Sequence, residues 1–246
     1  MKIIPLSEGS FTVDKTKHFV PFDPDTQELN QRPPGSLLVE IQPFAVITSN
    51  DIILLDTGLG FEQDGEMQIH KNLANAGIEP GGVTKVLLSH LHKDHSGGIA
   101  AGREKRELSF PQALYYVQEK ELRTAQERTS ASYIRKDSAL LKDSSQLVLL
   151  SEDHGLIDRC IEFRVTGAHS PFHQVFFIRE QGQVIFFGGD DAPQLQQMKH
   201  RFIAKYDHDG RKAAELRHQW WKTGRDENWN FLFYHDIRSP VYRDHG

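Results

Sequence analysis

The sequence predicts an α/β layered fold in which sheets are covered by helices. Three observations predict it. Short apolar strands recur along the whole chain, helical stretches interrupt them throughout, and several strands run straight into turns carrying His or Asp. In chain order, residues 21–36 are polar and proline-rich and are expected as a surface loop. Leu37–Ile47 reads as one strand, turning at Asn50 into a second, Ile52–Leu55, closed by the turn Asp56-Thr57-Gly58-Leu59-Gly60. Glu66–Ala76 has helical spacing, with Met67, Leu73 and Ala76 on one side and Gly77 as a stop. Val83–Leu88 and Ala113–Val117 are short strands, and Glu119–Arg128 is a helix. Leu147–Leu150 and Ile161–Val165 are strands, and Val175–Arg179 pairs with Val184–Phe187 around Gln181-Gly182. Residues 194–223 are helical in pattern, and Asn230–Tyr234 is the last strand. No shift in composition marks a boundary, so residues 1–246 are expected to form one domain.

Composition narrows the function. Lys and Arg number 29 against 34 Asp and Glu, a net charge of −5, which argues against a nucleic-acid binder with its basic face. Cys160 is the only cysteine, which excludes an intrachain disulfide and a thiolate zinc finger. No apolar run reaches the ~18 residues of a membrane span, and Met1-Lys2-Ile3-Ile4-Pro5 is too short and broken for a signal peptide. The expectation is a cytoplasmic protein acting on a small molecule, with no nucleic acid and no membrane, and with a homodimer left open.

The 13 histidines point to the chemistry, because several of them cluster. The strand Val83–Leu88 leads into Ser89-His90-Leu91-His92-Lys93-Asp94-His95-Ser96-Gly97-Gly98. In an extended segment residues two apart point the same way, so His90 and His92 can present two imidazoles to one cation. Asp94 and His95 follow once the chain turns, and can face a neighbouring cation. Neutral imidazole and carboxylate suit zinc and other first-row metals. The pattern should arise by chance on the order of 0.003 times in a chain of this length. Three further strands end in candidate ligands: His169 in Gly167-Ala168-His169-Ser170-Pro171-Phe172-His173, Asp190 after Gly188-Gly189, and His235 after Phe233-Tyr234. Strand C-termini are where α/β folds collect active-site groups.

These motifs, in this order from Asp56 to His235, resemble the metallo-β-lactamase superfamily. The resemblance implies a four-layer αββα sandwich with two divalent ions at one edge. Zinc is the first expectation, with manganese, iron or cobalt as alternatives. His90, His92 and His169 would hold the first ion, Asp94, His95 and His235 the second, and Asp190 would bridge both. Asp56 would orient ligands from behind. The bridging Asp190 speaks against the zinc β-lactamases, His92 before Asp94 against the flavo-diiron oxidoreductases, and the chain's shortness against the RNA-processing members. The pattern is most similar to the quorum-quenching N-acyl homoserine lactonase and phosphotriesterase-like branch. That similarity rests on Leu54-Leu55-Asp56-Thr57-Gly58, Tyr115-Tyr116-Val117-Gln118-Glu119 and Tyr234-His235-Asp236. It implies a dinuclear metal-dependent hydrolase of lactones or esters, in which a hydroxide shared by the two ions attacks. Asp94 is the candidate to pass a proton to the leaving group. The alternatives are an organophosphate or aryl esterase, a glyoxalase II-like thioester hydrolase and, outside enzymes, a metal-stabilised binding module. Two departures concern the substrate: no tyrosine follows Asp190-Asp191-Ala192-Pro193, and the His169 loop lacks the family's usual Pro-Gly-His-Thr-Pro-Gly-His.

Other residues have plainer readings. His173 is expected behind a ligand, not on the metal. Asp191 could be the bridge, but the Gly-Asp order favours Asp190. Asp236 caps or orients a neighbour. His200, His208 and His218 are expected in solvent, and Cys160 as an inert thiol. Phe202, Trp220 and Trp221 are core or lid packing. As a lid over the metals, they would supply an apolar wall favouring hydrophobic tails over charged peptides such as glutathione.

Overall fold

Apolar side chains that alternate along a strand go to opposite faces of a sheet, and this alternation builds the layers here. The computed structural model describes residues 1–101, 104 and 107–243. The first six-stranded sheet runs β1 (Lys2–Pro5), β5 (Phe44–Ile47), β6 (Ile52–Leu55), β9 (Lys85–Leu87), β12 (Leu114–Gln118) and β13 (Leu147–Leu150). Its β1–β5–β6 edge is antiparallel, and from β6 onward neighbours are parallel. Each parallel step crosses over through helix: α1 (Gln68–Asn75), then α2 (Lys93–Ser96), then α3 (Glu119–Glu127) and α4 (Arg135–Lys142). The second six-stranded sheet runs β14 (His154–Ile157), β15 (Ile161–Val165), β16 (Gln174–Glu180), β17 (Gln183–Phe187), β18 (Asn230–Leu232) and β19 (Val241–Arg243). Only its β17–β18 step is parallel, and it crosses over through α5 (Leu195–Lys199) and α6 (Gly210–Asp226). A three-stranded sheet, β3 (Phe19–Pro21), β2 (Gly9–Val13) and β4 (Leu37–Ile41), completes the inner layer. Two short pairs, β7 (Glu62–Gln63) with β8 (Glu66–Met67) and β10 (Ala100–Ala101) with β11 (Glu107–Leu108), lie outside it.

The alternation sorts into three apolar layers. Between the sheets lie Phe44, Val46, Ile53 and Leu55 from the first, Phe176, Ile178, Ile185 and Phe187 from the second, and Phe11, Val39 and Ile41 from the three-stranded sheet. Their neighbours point outward. Ala45, Leu54, Val86 and Val117 meet α1, α3 and α4 through Ile69, Leu73, Leu122 and Leu141. Val175, Phe177, Phe186 and Phe231 meet α6 through Trp220. Helix, sheet, sheet, helix is the αββα sandwich. Among the described residues, no helix is long and apolar enough to cross a membrane.

The structure corrects several boundaries. Leu37–Ile47 is not one strand: it breaks at Gln42-Pro43 into β4 and β5, which belong to different sheets. Pro43 has no N–H for a ladder, and its carbonyl accepts from Leu6 N–H at 2.8 Å as the chain changes sheet. Glu66 and Met67 are strand, and the helix begins only at Gln68. The stretch 194–223 is not continuous helix, because residues 200–209 leave it between α5 and α6. The N–H groups of His208 and Asp209 donate instead to the carbonyls of His169 and Ala168, at 3.0 and 2.7 Å. Asp209 then caps α6, accepting from Lys212 N–H at 3.0 Å. Trp220 is buried with its ring 4.9 Å from that of Phe186, and Trp221 packs on Phe231 and Tyr242. Phe202 is exposed. None of the three walls the metal-cluster cavity.

Trp220→Ala is therefore expected to act on stability. It should lower the unfolding free energy by roughly 3–5 kcal/mol, the usual cost of emptying a buried indole site, read from the urea midpoint. A shift in KM with an unchanged midpoint would return Trp220 to the substrate wall.

Candidate metal centre

Each of the seven expected side chains follows a strand end, and the structure brings all seven together. His90, His92, Asp94 and His95 follow β9, His169 follows β15, Asp190 follows β17 and His235 follows β18. They divide into two clusters whose donor atoms lie within 4.8 Å of one another: His90, His92, His169 and Asp190 in one, Asp94, His95 and His235 in the other. Asp190 stands between them. Its Oδ2 lies 3.1 Å from His169 Nε2 and 3.9 Å from His90 Nε2. Its Oδ1 lies 3.0 Å from His95 Nε2 and 2.9 Å from His235 Nε2. Within the first cluster, His92 Nδ1 is 3.0 Å from His90 Nε2 and 3.2 Å from His169 Nε2. Asp94 Oδ2 is 3.8 Å from His95 Nε2 and 3.6 Å from His235 Nε2.

What stands behind the rings decides which nitrogen is free. His95 Nδ1–H donates to Asp56 Oδ2 at 2.7 Å, and His235 Nδ1–H to the Glu40 carbonyl at 2.7 Å. His169 Nδ1–H donates to Asp207 Oδ1 at 2.9 Å. Ser89 Oγ–H donates to Asp56 Oδ2, so that oxygen accepts from His90 Nδ1–H at 3.0 Å. All four rings thus aim Nε2 inward, the nitrogen that is free for a metal in the neutral ring. His95 Nε2 and Asp190 Oδ1 face each other at 3.0 Å and yet, among the described residues, neither buried atom has a hydrogen-bond partner. Two metal-ligating atoms converging without a hydrogen bond between them fit a shared cation.

The charge balance agrees. Burial, with the neighbouring rings, holds His90 and His92 well below the ordinary histidine range. Burial also opposes charge on His95, His169 and His235, but the Asp190 carboxylate outweighs it and pushes all three up. Burial works against the Asp190 carboxylate too, yet His95, His235 and His169 together hold it well below the carboxylate range. The protein alone gathers protons around this carboxylate. Divalent ions would replace them and release protons as they bind.

The supporting groups resolve His173 and Asp191. His173 Nε2 accepts the Asp190 N–H at 3.2 Å, so its Nδ1 carries the proton and lies 3.0 Å from Asp191 Oδ2. Asp191 also accepts His169 N–H at 2.7 Å and the Thr166 hydroxyl, and its carbonyl accepts from buried Arg217 at 2.9 Å. The pair braces the loop that presents Asp190. Gly189 is required there: its φ is +48°, and a Cβ would sit 2.8 Å from His173 Nε2. Asp236 orients α5, accepting from Leu195 N–H at 2.9 Å.

Glu121 and Asp207 escape a reading of the sequence. Fully buried Glu121 accepts from Leu91 N–H at 3.1 Å, Tyr133 Oη–H at 3.3 Å and Ser170 Oγ–H at 3.4 Å. It thereby ties the His92 and His169 loops to α3, and burial pushes its carboxyl up. A glutamate on the buried face of an amphipathic helix is its one legible signal. Asp207 has none, since it lies in a polar stretch that reads as helix.

A small cavity of about 70 Å³ opens over the clusters. Val13, Phe19, Leu37 and Val39 of the three-stranded sheet, with Pro193, form its apolar side. Tyr206 also lines it, its ring centroid 6.2 Å from that of His169. A tyrosine is thus present beside the cluster, delivered by the non-helical 200–209 segment.

Asp190 and Asp191 should separate cleanly by experiment. Asp190→Ala removes the donor common to both clusters, so zinc bound per chain should fall by about one ion or more. Asp191→Ala leaves the donor set complete but strips partners from buried groups. It should destabilise the metal-free protein by roughly 3 kcal/mol. Elemental analysis and chemical denaturation of both variants check this, and the reverse pattern would exchange their roles.

Comparison with known proteins bears on the fold and the family. No curated protein sequence matches the chain. A probable metal-dependent hydrolase from Staphylococcus aureus superposes with a TM-score of 0.80 at 22% identity, covering 98% of this chain and 91% of that one. AidC, a dizinc quorum-quenching lactonase in complex with a product, superposes at 0.75 and 18% identity, covering 97% and 88%. An AiiA variant of B. thuringiensis, with N-decanoyl-L-homoserine at its active site, superposes at 0.67 and 20% identity, covering 96% and 93%. At these identities the likeness concerns the fold. The sequence model of the metallo-beta-lactamase superfamily matches residues 39–220, most of the chain, and on that match the chain belongs to the superfamily.

Proposed function

We propose that the chain hydrolyses a lactone or ester bond in a small molecule, with the seven clustered side chains holding two ions, zinc by preference. One observation carries the reading: two donor clusters share Asp190 and open onto a single cavity with an apolar side. The lactonase complexes among the structural neighbours support the choice of bond. Two divalent ions supply Lewis acidity and an ionised water near neutral pH when bound.

The chain's own residues do the rest. Val13, Phe19, Leu37 and Val39 exclude water beside the reacting bond and hold the carbon skeleton of the substrate. Asp94 lines the cavity, with Oδ2 toward His95 and His235. Its other oxygen can carry a proton to the leaving alkoxide. Tyr234 Oη–H donates to the Asp94 carbonyl at 2.5 Å and fixes that backbone. Tyr206 offers a phenol at the cavity wall for a substrate oxygen.

Zinc-loaded protein should turn over acyl lactones or aryl esters in a screen that also contains phosphotriesters and thioesters. Turnover confined to glutathione thioesters would overturn the bond class and leave the metal centre standing. Tyr206→Phe should raise KM by about tenfold or less, the loss of one hydrogen bond, with a smaller change in kcat. An unchanged KM would remove Tyr206 from substrate binding.

A further inference from the structure

Two lysines share the wall of the metal-cluster cavity, and neither is answered by a carboxylate. Lys93 stands between His92 and Asp94 at the start of α2, and Lys17 lies in the turn from β2 to β3. Both are half-buried, and both line the cavity with His92, Asp94, His169, Asp190 and His235. Among the described residues, no ion pair reaches either ammonium group. Lys93 Nζ instead sits 5.7 Å from the centroid of the Phe19 ring.

The nearby carboxylates are committed elsewhere. Asp14 accepts from Thr16 N–H at 2.8 Å and from the Thr16 hydroxyl at 2.5 Å, which hold its carboxyl down. Asp94 Oδ2 faces His95 and His235, and Asp190 is surrounded by His95, His169 and His235. Holding like charges half-buried in one cavity is unfavourable unless something pairs with them. Lys17 adds a second cost, since its φ of 59° lies in the left-handed region that a lysine rarely adopts. A net charge of −5 overall makes this local concentration of positive charge more pointed.

We propose that Lys17 and Lys93 bind an anionic group, a carboxylate or phosphate, that the substrate carries at a distance from the bond being cleaved. The inference rests on the hydrolase reading above for the word substrate, and makes that substrate an anionic ester or lactone in place of a neutral acyl lactone. The apolar side of the cavity takes the carbon chain between the two ends, and Phe19 supports Lys93 from beneath. This revises the expectation of a purely hydrophobic tail: the wall is apolar, but it carries two charges.

Matched 4-nitrophenyl esters of adipic, suberic and sebacic acid test the proposal, with the far end a free carboxylate or its methyl ester. A third series places a phosphate monoester at the end of the same acyl chains. The expected kcat/KM for the charged esters exceeds that for the neutral ones by about tenfold at low salt, the worth of one charged contact. That ratio should fall toward one in added salt and in Lys17→Met/Lys93→Met. The preferred anion identifies its source. Binding is read separately by calorimetry on zinc-loaded protein, comparing suberate with its monomethyl ester. Both can reach the metals with one carboxylate, and only suberate has a second for the lysines. Equal treatment of charged and neutral ligands by the natural protein, or a preference that survives the double substitution, overturns the proposal. Discrimination in binding with no ester turned over would instead sink the hydrolase reading of the substrate and leave the anion site.

Discussion

The arrangement depends above all on the acceptors that stand behind the histidines. A carboxylate in Asp56 and Asp207, a carbonyl in Glu40 and a hydroxyl in Ser89 each take one ring proton and so aim Nε2 inward. Remove an acceptor and the ring can rotate or change tautomer, and a donor is lost without any donor residue being changed. Asp56 bears most of this. It accepts from Ser89 N–H and Ser89 Oγ–H, each at 2.7 Å, and from His95, so one carboxylate orients a ring in each cluster. It does so at a φ of 56°, in the left-handed region that Asp tolerates better than most residues. The strained turn after β6 is thus where the fold and the chemistry meet.

The sheets explain why such precision is available. Every donor follows a strand end within eight residues, and the strands are clamped on both faces by apolar layers. Close packing of backbone against backbone does the rest. At Gly98 a Cβ would collide with the Thr57 carbonyl oxygen, so only glycine lets the donor-bearing α2 segment lie against the Asp56 turn. Glu121 from α3 and Asp191 beside the bridge then tie neighbouring loops together through buried, charge-assisted hydrogen bonds. The donors sit on loops, but these loops have little freedom left.

This division of labour also explains what the sequence shows. The convergence of His90, His92, Asp94, His95, His169, Asp190 and His235 is legible because each stands at a fixed offset from an apolar strand, and strand ends are easy to see. The layers are legible for the same reason, since residues such as Ile53, Leu54 and Leu55 alternate by period two. The cavity wall is not. β2 and β3 are short, their pattern is mixed, and β4 is hidden within an apolar run that only Pro43 divides. Tyr206 and Asp207 are invisible for another reason. Their segment has helical composition, and what pulls it out of helix is two carbonyls of the distant His169 loop. Tertiary hydrogen bonds override local propensity there, and no local window records them.

The legible and illegible parts correspond to two different physical demands. Holding cations requires donors at fixed separations, so those residues must sit just beyond the ends of the clamped inner strands. Choosing a substrate requires only a surface of suitable shape and charge, and here the small β2–β3–β4 sheet and the 200–209 segment supply it. Neither belongs to the paired six-stranded sheets that carry the donors. A change at Lys17, Leu37 or Tyr206 can therefore alter what enters the cavity without moving a donor atom. Lys93 is the exception, because it stands between two donor residues and faces the cavity at the same time. It is the position where a preference for charge is tied most directly to the geometry of the metal clusters.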